Sequence, residues 1–371
     1  MRARDLGVVV GTGSPGRWNA ITDVPGVRVG HRTLVAGHGS LLPGQGPVRT
    51  GVSVVVPADG SLGRRPVFAG CHRLNGNGEL TGLEWVRESG TLTSPVALTN
   101  THSVGVVRDA LVAAEVARRD PDELFWCLPV VGETWDGLLN DINGFHVRAE
   151  HLHDALRAAA PGPVAEGNVG AGTGMVCHGF KGGIGTSSRL TGGSAGDWTV
   201  GALVQANHGR RSRLSVAGVP VGRAITPEEV PLPTPPSGAV PAQGSGSIVV
   251  VLATDAPLLP HQCARLAQRA ALGIARCGGN GEHTSGDMII AFATGNRLEA
   301  DGPVEGGRAV RSVRMLPDSA ITSLFDATVE AVEEAVLNAL VGARTMTGRD
   351  GITAHALPHE SLSEAMKRAA R

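Results

Sequence analysis

Gly246-Ser-Ile-Val-Val-Val-Leu-Ala-Thr254 is the stretch that decides how this chain folds. Ser247 opens a run of apolar, mostly β-branched residues, which predicts a strand buried on both faces. The preceding segment, Thr226 to Gly246, holds six prolines, so it can neither join a central strand nor continue a helix. The sequence therefore predicts a linker that delivers a hydroxyl side chain to the start of a buried strand.

Similar β-branched runs recur along the chain, and four segments carry apolar residues at helical spacing. The predicted strands are 52–56, 96–99, 200–206, 248–254 and 288–294, and the predicted helices are 108–119, 149–159, 260–275 and 321–336. Asp318 or Ser319 is predicted to cap the last helix. Adjacent strands flanked by long helices, without regular βαβ alternation, indicate an α+β sandwich with helices packed outside buried sheets.

Composition excludes several classes of protein. Lys and Arg total 33 against 34 Asp and Glu, without a basic run, which disfavours partners such as nucleic acid or an anionic membrane. No apolar stretch is long enough to span a bilayer, and no signal-type region begins the chain. Five widely spaced cysteines predict reduced thiols. We therefore expect a cytoplasmic protein that acts on a small neutral or zwitterionic substrate.

The Gly246–Ser247 bond is a candidate site of self-cleavage. Gly246 has no Cβ and tolerates the strained backbone that is needed if a hydroxyl attacks the preceding carbonyl. Cleavage would leave Ser247 with a free α-amine, whose ordinary pKa of roughly 7.7 to 8.0 suits a general base at neutral pH. One residue would then be both nucleophile and base. A Gly-Ser pair alone is more often a turn, so this interpretation depends on the surrounding motifs.

Four long motifs carry a resemblance to a known family. They are Asn19-Ala-Ile-Thr-Asp-Val-Pro-Gly-Val-Arg-Val-Gly-His31, Thr99-Asn-Thr-His-Ser-Val-Gly105, Gly170-Ala-Gly-Thr-Gly-Met-Val-Cys-His-Gly-Phe-Lys-Gly-Gly-Ile-Gly-Thr-Ser-Ser-Arg189 and Gly246-Ser-Ile-Val-Val-Val-Leu-Ala-Thr-Asp-Ala-Pro257. In this order they resemble the DmpA-type L-aminopeptidase/D-esterase and β-peptidyl aminopeptidase family.

The resemblance implies a four-layer αββα sandwich, like that of N-terminal nucleophile hydrolases but with different connectivity. It also implies cleavage into a larger chain, 1–246, and a smaller chain, 247–371, which together form one domain and assemble into a homo-oligomer. Small peptides, aminoacyl amides or esters are the implied substrates. No metal or organic cofactor is expected for such a reaction.

The family's catalytic residues can be placed on this sequence one at a time. Its nucleophile falls on Ser247, the partners of that nucleophile fall on Ser285 and Asp287, and its oxyanion donor falls on Asn207. The β-peptide-cleaving members carry Glu where Asp287 stands, so the resemblance does not establish a preference for β-residues. A tyrosine hydroxyl is the family's second oxyanion donor; this sequence has no tyrosine, and Phe145 cannot donate.

Val131-Gly-Glu-Thr-Trp-Asp-Gly137 resembles the family segment that receives the free amine of the substrate. That role falls on Glu133, and Trp135 is expected to line the substrate site; an exposed loop glutamate is the alternative interpretation of Glu133. Two other functions stay open. One is an acyltransferase of the related ornithine acetyltransferase architecture, which uses a threonine nucleophile, and the other is an unprocessed scaffold that lost the chemistry.

Overall fold

The structure, a computed structural model, describes residues 1–192, 196–236, 246–298 and 311–369. The α-helices are α1 (Leu83–Ser89), α2 (Val104–Val116), α3 (Ala149–Arg157), α4 (Val221–Ala224), α5 (Pro260–Arg276), α6 (Thr322–Val341) and α7 (His359–Ala369). The strands are β1 (Arg28–Ala36), β2 (Val48–Val56), β3 (Val67–Arg73), β4 (Thr91–Leu92), β5 (Val96–Asn100), β6 (Val130–Thr134), β7 (Val176–Cys177), β8 (Phe180–Lys181), β9 (Gly183–Leu190), β10 (Thr199–Asn207), β11 (Ser247–Thr254), β12 (Asp287–Arg297), β13 (Met346–Thr347) and β14 (Thr353–Ala354).

Two main sheets form the middle of the molecule. One has the strand order β1-β2-β5-β6, and the other has the order β4-β3-β12-β11-β10-β9. Helices α2 and α3 pack on the first sheet, while α5 and α6 pack on the second. Three buried apolar clusters separate these layers, one between the sheets and one beneath each pair of helices. The predicted α+β sandwich with four αββα layers is confirmed.

Strand β11 lies inside the larger sheet and is buried along its whole length. It pairs antiparallel with β10 and parallel with β12. Because successive side chains of a strand point to opposite faces, Val249 and Val251 enter the core between the sheets, whereas Ile248 and Val250 enter the core beneath α5 and α6. Burial on both faces explains the unbroken apolar run that follows Ser247.

Glycines allow the helices to lie directly on the sheets. A Cβ on Gly185 of β9 would lie 1.9 Å from the carbonyl oxygen of Ala335 in α6, and one on Gly70 of β3 would lie 2.3 Å from the backbone nitrogen of Ala264 in α5. Any larger residue at these positions would push the helix away from the sheet.

The structure corrects the predicted start of the last helix. Asp318 and Ser319 lie in a short 3₁₀ turn, and α6 begins at Thr322 without a side-chain cap, so the capping prediction is wrong. The Asp318 carboxylate instead accepts hydrogen bonds from Gln262 at 2.9 Å and Arg265 at 3.1 Å. A neighbouring helix therefore competes successfully with the local cap.

Other boundaries shift by a few residues. Helix α2 spans Val104–Val116 where 108–119 was predicted, and α6 extends to Val341. Residues 226–236 of the predicted linker form neither strand nor helix, whereas 237–245 lie outside the described residues. No helix in the described ranges is long and apolar enough to cross a membrane.

Candidate active site

The predicted site residues meet at one end of the sandwich. Strands β6 and β10 end there, and strands β11 and β12 begin there. A pocket of about 480 Å³ opens between the two sheets at this end. Its lining residues are Asn77, Gly78, Glu79, Thr101, Glu133, Trp135, Gly246, Ser247 and Thr284. The pocket therefore joins Ser247 of the larger sheet to Glu133 of the smaller one.

Ser247 is the first residue of β11 and is 5% exposed. Its Oγ accepts a hydrogen bond from the Gly286 N–H at 3.0 Å, a partner that the sequence did not indicate. A Cβ on Gly246 would lie only 1.9 Å from the carbonyl oxygen of Asn207. Only glycine fits directly before the candidate nucleophile, which agrees with the predicted need for a permissive backbone at that position.

Asn207 ends β10 and stands directly opposite Ser247 in the strand register. Its Oδ1 accepts from the Val176 N–H at 2.7 Å, and its Nδ2 donates to the Trp135 carbonyl oxygen at 2.9 Å. These two bonds identify the amide nitrogen and set its direction. Because an amide nitrogen carries two N–H groups, one remains available to a third partner.

Ser285 and Asp287 form one hydrogen-bonded unit beside the start of β11. Ser285 Oγ donates to Asp287 Oδ1 at 2.5 Å, and the Ile248 N–H donates to the same oxygen at 3.3 Å. Asn75 clamps Asp287 twice, since its Nδ2 donates to Oδ2 at 3.2 Å and its Oδ1 accepts from the Asp287 N–H at 2.6 Å. Sequence reasoning missed Asn75. Burial raises the pKa of the Asp287 carboxyl, although the bond from Ser285 opposes this effect.

Glu133 is a buried strand residue, which excludes the interpretation as an exposed loop glutamate. It lies in β6 and is 3% exposed. Its Oε1 accepts from the Glu79 N–H at 2.9 Å, and its Oε2 accepts from the Thr101 hydroxyl. Burial raises the pKa of its carboxyl above the ordinary value, while these two donors lower it. Within the described ranges, no Lys or Arg forms an ion pair with Glu133, although the charge of His102 acts to lower its pKa.

The sequence singled out two aromatic residues, Trp135 and Phe145. Trp135 lines this pocket as predicted and is partly exposed. Phe145 is about half exposed and stacks on His102 with ring centroids 6.1 Å apart. Its ring has no hydroxyl, so it supplies no second oxyanion donor.

The layered fold and this serine-containing pocket define a class, a variant of the N-terminal nucleophile hydrolase fold. The chain belongs to peptidase family S58, whose sequence model matches residues 19–354. It is a serine aminopeptidase, and peptides, amides or esters are its substrates. Membership in this family removes the basis of the acyltransferase alternative, which also required a threonine where Ser247 stands.

Characterised relatives resemble the chain along almost its whole length. It is 50% identical to a β-peptidyl aminopeptidase, BapA, of Sphingosinicella microcystinivorans over 99% of this chain and 92% of that protein. A β-aminopeptidase structure from Burkholderia sp. superposes with a TM-score of 0.91 at 54% identity, covering 100% of this chain and 99% of the other. The L-aminopeptidase D-Ala-esterase/amidase of Ochrobactrum anthropi gives 0.89 at 44% identity, with the same coverage.

Proposed function

We propose that the chain cleaves itself between Gly246 and Ser247, and that Ser247 then removes N-terminal residues from small peptides, amides or esters. One observation carries the proposal: Ser247 and the buried Glu133, which lacks an ion-pair partner in the described structure, line the same pocket. A nucleophile held at a limited distance from an unpaired carboxylate suits a substrate whose free amine lies close to its reactive carbonyl.

Self-cleavage is possible because Ser247 directly follows Gly246 in the chain. The Oγ attacks the Gly246 carbonyl carbon, the C–N bond breaks, and the Ser247 nitrogen takes the proton that leaves the hydroxyl. Water then hydrolyses the resulting ester, leaving a Gly246 carboxylate and a free Ser247 amine. The products, 1–246 and 247–371, would stay together because β10 and β3 of the first chain pair with β11 and β12, respectively, of the second.

In the processed enzyme the Ser247 amine is the general base. It takes the Oγ proton as Oγ bonds to the substrate carbonyl carbon, and it returns a proton to the leaving amine when the C–N bond breaks. The second N–H of the Asn207 amide, which is not used in the bond to the Trp135 carbonyl oxygen, donates to the oxyanion. Water repeats the attack on the acyl-enzyme and restores Ser247.

In this proposal two carboxyl groups stabilise two different ammonium groups. Asp287, oriented by Ser285 and Asn75, stabilises the protonated Ser247 amine that forms during catalysis. Glu133 pairs with the ammonium of the substrate, and Trp135 covers the substrate beside it. A capped peptide has no cation for Glu133 and is therefore rejected.

The substrate class extends this proposal to the residue that is removed. Relatives of about half identical sequence are named for β-peptides, and another is named for L-amino acids and D-alanyl esters and amides. We propose that N-terminal β- and α-residues are both accepted, although Asp287 replaces the Glu of the β-peptide-cleaving members. Paired β-alanyl and L-alanyl amides, with D-alanyl amide as a third arm, test this point; turnover of L-alanyl amide alone would contradict it.

Assembly and location complete the proposal. The processed units form a homo-oligomer, for which the strongly exposed Leu124 and Trp126 offer apolar surface. The free state of all five cysteines agrees with a reducing compartment such as the cytoplasm. Light scattering on the processed protein measures the assembly, and a Trp126→Glu variant should lower its mass.

Intact-mass analysis of the purified protein tests the mechanism. We expect two fragments, the smaller beginning Ser247-Ile-Val-Val-Val, and a Ser247→Ala protein that stays intact and inactive. The exposed Ser212 provides a matched control, because Ser212→Ala should process and turn over normally. One full-length, fully active chain would contradict the mechanism, and a full-length inactive chain would support the unprocessed scaffold.

A further inference from the structure

Three metal-ligating side chains lie together directly behind Asn207. Cys177 ends β7, His178 follows it, and His208 follows Asn207 at the end of β10. One potential ligand atom from each of the three lies within 4.8 Å of the others, and all three residues are buried. Cys177 Sγ is 3.8 Å from His208 Nδ1, and the two imidazole centroids are 5.1 Å apart.

The nitrogens of this cluster lack the partners that buried polar atoms almost always have. His178 Nδ1 donates to the Arg210 carbonyl oxygen at 3.1 Å, which places the lone pair on its Nε2. That Nε2 is buried and has no hydrogen-bond partner in the described structure. His208 Nε2 also lacks one, although it is His208 Nδ1 that faces Cys177 Sγ. Ligating histidines typically donate their other N–H to a backbone carbonyl, as His178 does. Burial lowers the pKa of both imidazoles and raises that of the Cys177 thiol to about 12, so binding has to displace the thiol proton.

We propose that Cys177, His178 and His208 bind one soft d¹⁰ metal ion, with Cu⁺ favoured over Zn²⁺. Thiolate and imidazole are the ligands that these two ions share. Binding releases the Cys177 thiol proton to solvent and leaves a set of one thiolate and two neutral imidazoles. Cu⁺ neutralises this set, whereas Zn²⁺ leaves a net positive charge in a buried site, where an uncompensated charge is costly.

The separations within the cluster are close to those of a ligand set. Ligands of one ion lie roughly 3.3 to 4 Å apart. Cys177 Sγ and His208 Nδ1 already meet this separation at 3.8 Å, and a ligand atom of His178 lies within 4.8 Å of the other two.

The ion would join the backbone of the proposed oxyanion donor to one of the segments that orient its amide. Val176, whose N–H holds Asn207 Oδ1, precedes Cys177, and Asn207 itself precedes His208. A metal that links Cys177 to His208 therefore ties the Asn207 backbone to the segment that holds its Oδ1. Its role is structural and is separate from the proposed hydrolysis, which proceeds through Ser247.

Metal titration of the purified, chelator-treated protein tests the site. Cu⁺ is supplied anaerobically with ascorbate against a chromophoric Cu⁺ chelator, and Zn²⁺ is supplied in a separate titration. We expect about one Cu⁺ per chain, a higher Tm when it binds, and an absorption-edge spectrum that fits one sulfur and two nitrogens. Cys177→Ser and His178→Gln should each weaken binding at least tenfold, while Cys263→Ser, which alters a buried thiol outside the cluster, should not.

Several results would overturn the proposal. One is binding of neither ion at about one equivalent, which would leave the cluster as packed side chains with unpaired nitrogens. Another is unchanged affinity in Cys177→Ser, or an equal loss in Cys263→Ser. Stoichiometric Zn²⁺ binding that outcompetes Cu⁺ would keep the ligands but overturn the choice of ion. If Cys177→Ser fails to fold, as judged by circular dichroism, His178→Gln carries the comparison.

Discussion

Glu334 and Glu133 are both buried carboxylates, but their surroundings are opposite. Glu334, in α6, accepts from Arg4 at 2.9 Å and from the fully buried Arg189 at 2.7 Å, with a further bond from Asn19. Burial acts to raise the pKa of Glu334, yet these partners hold it below its ordinary value. At Glu133 the two donors are neutral, and burial keeps the pKa raised.

This difference separates a structural charge from a charge prepared for a ligand. Because the pKa of Glu334 is lowered, its contribution to stability is present above the ordinary carboxyl pKa and is lost as pH falls through the folded value. Glu133 has the opposite sign: its ionised form opposes folding until a cation arrives. A buried acid without a Lys or Arg ion pair in the described structure is thus a marker of the binding site.

The largest effect on stability should come from Arg189→Met. The change leaves Glu330 and Glu334 without their shared cation, so we expect a loss of about 3–5 kcal/mol in the free energy of unfolding at pH 7. Denaturant unfolding measures it, and the loss should shrink at acid pH as the carboxylates become protonated. Arg368→Met, in an exposed pair with Glu364, should cost less than about 1 kcal/mol. Equal losses of unfolding free energy in the two variants would show that the buried and exposed ion pairs do not differ in their contribution to stability.

Glu133→Gln should affect catalysis without weakening the fold. We expect kcat/KM for free-amine substrates to fall roughly 10²- to 10³-fold, because the substrate ammonium loses its partner. The Tm should stay the same or rise, since an amide carries no buried charge. The exposed Glu79 lines the same pocket, so Glu79→Gln is the matched control and should have a far smaller effect.

A double cycle with an N-acetylated substrate sharpens this test. The capped substrate already lacks the contact with Glu133, so Glu133→Gln should do little further harm there. Fully additive losses, or equal cleavage of capped and free aminoacyl amides by the parent enzyme, would show that Glu133 does not bind the substrate amine.

Asp287→Asn should lower turnover more than substrate binding. In the processed protein we expect kcat to fall about ten- to hundredfold with little change in KM, because Asp287 acts on the Ser247 amine and not on the substrate. Asp255, at the other end of β11, is the matched control: burial also raises its pKa, and Asp255→Asn should leave kcat unchanged. An unaltered kcat and pH profile in Asp287→Asn would remove its assigned role.

The smallest expected effect is a shift in the pH profile. Glu133 must be ionised to hold an ammonium, and burial raises its pKa, so kcat/KM should fall as pH drops through a value above the ordinary carboxyl range. For free-amine substrates the acid limb, which also contains the ionisation of the Ser247 amine, should lose the Glu133 ionisation in Glu133→Gln. It should keep that ionisation in Glu79→Gln, moved slightly to lower pH, because the Glu79 charge helps to raise the pKa of Glu133. An acid limb that is the same in both variants as in the parent enzyme would show that Glu133 does not bind the substrate amine.

The hydrogen-bond partners of the site show where sequence reasoning stopped. Asn75 lies 212 residues from Asp287, and Trp135 lies 72 residues from Asn207, so no local spacing indicated either contact. Cys177 and His178 are adjacent, but His208 joins them only because β7 packs beside β10. The Asp318 cap failed for the same reason, since Gln262 of α5 is a tertiary competitor.

The sequence by itself determined the buried strands, the long helices and the glycine before Ser247, because these depend on apolar periodicity and on backbone sterics that act between neighbours in the chain. Motif resemblance supported Ser247 as the nucleophile and added Asn207, Ser285, Asp287 and Glu133 as candidates. Only the tertiary structure decided that Glu133 is buried without a Lys or Arg ion pair in the described ranges while Glu334 pairs with two arginines. Burial and charge pairing depend on which distant segments meet, and a linear pattern of residue types does not specify that meeting.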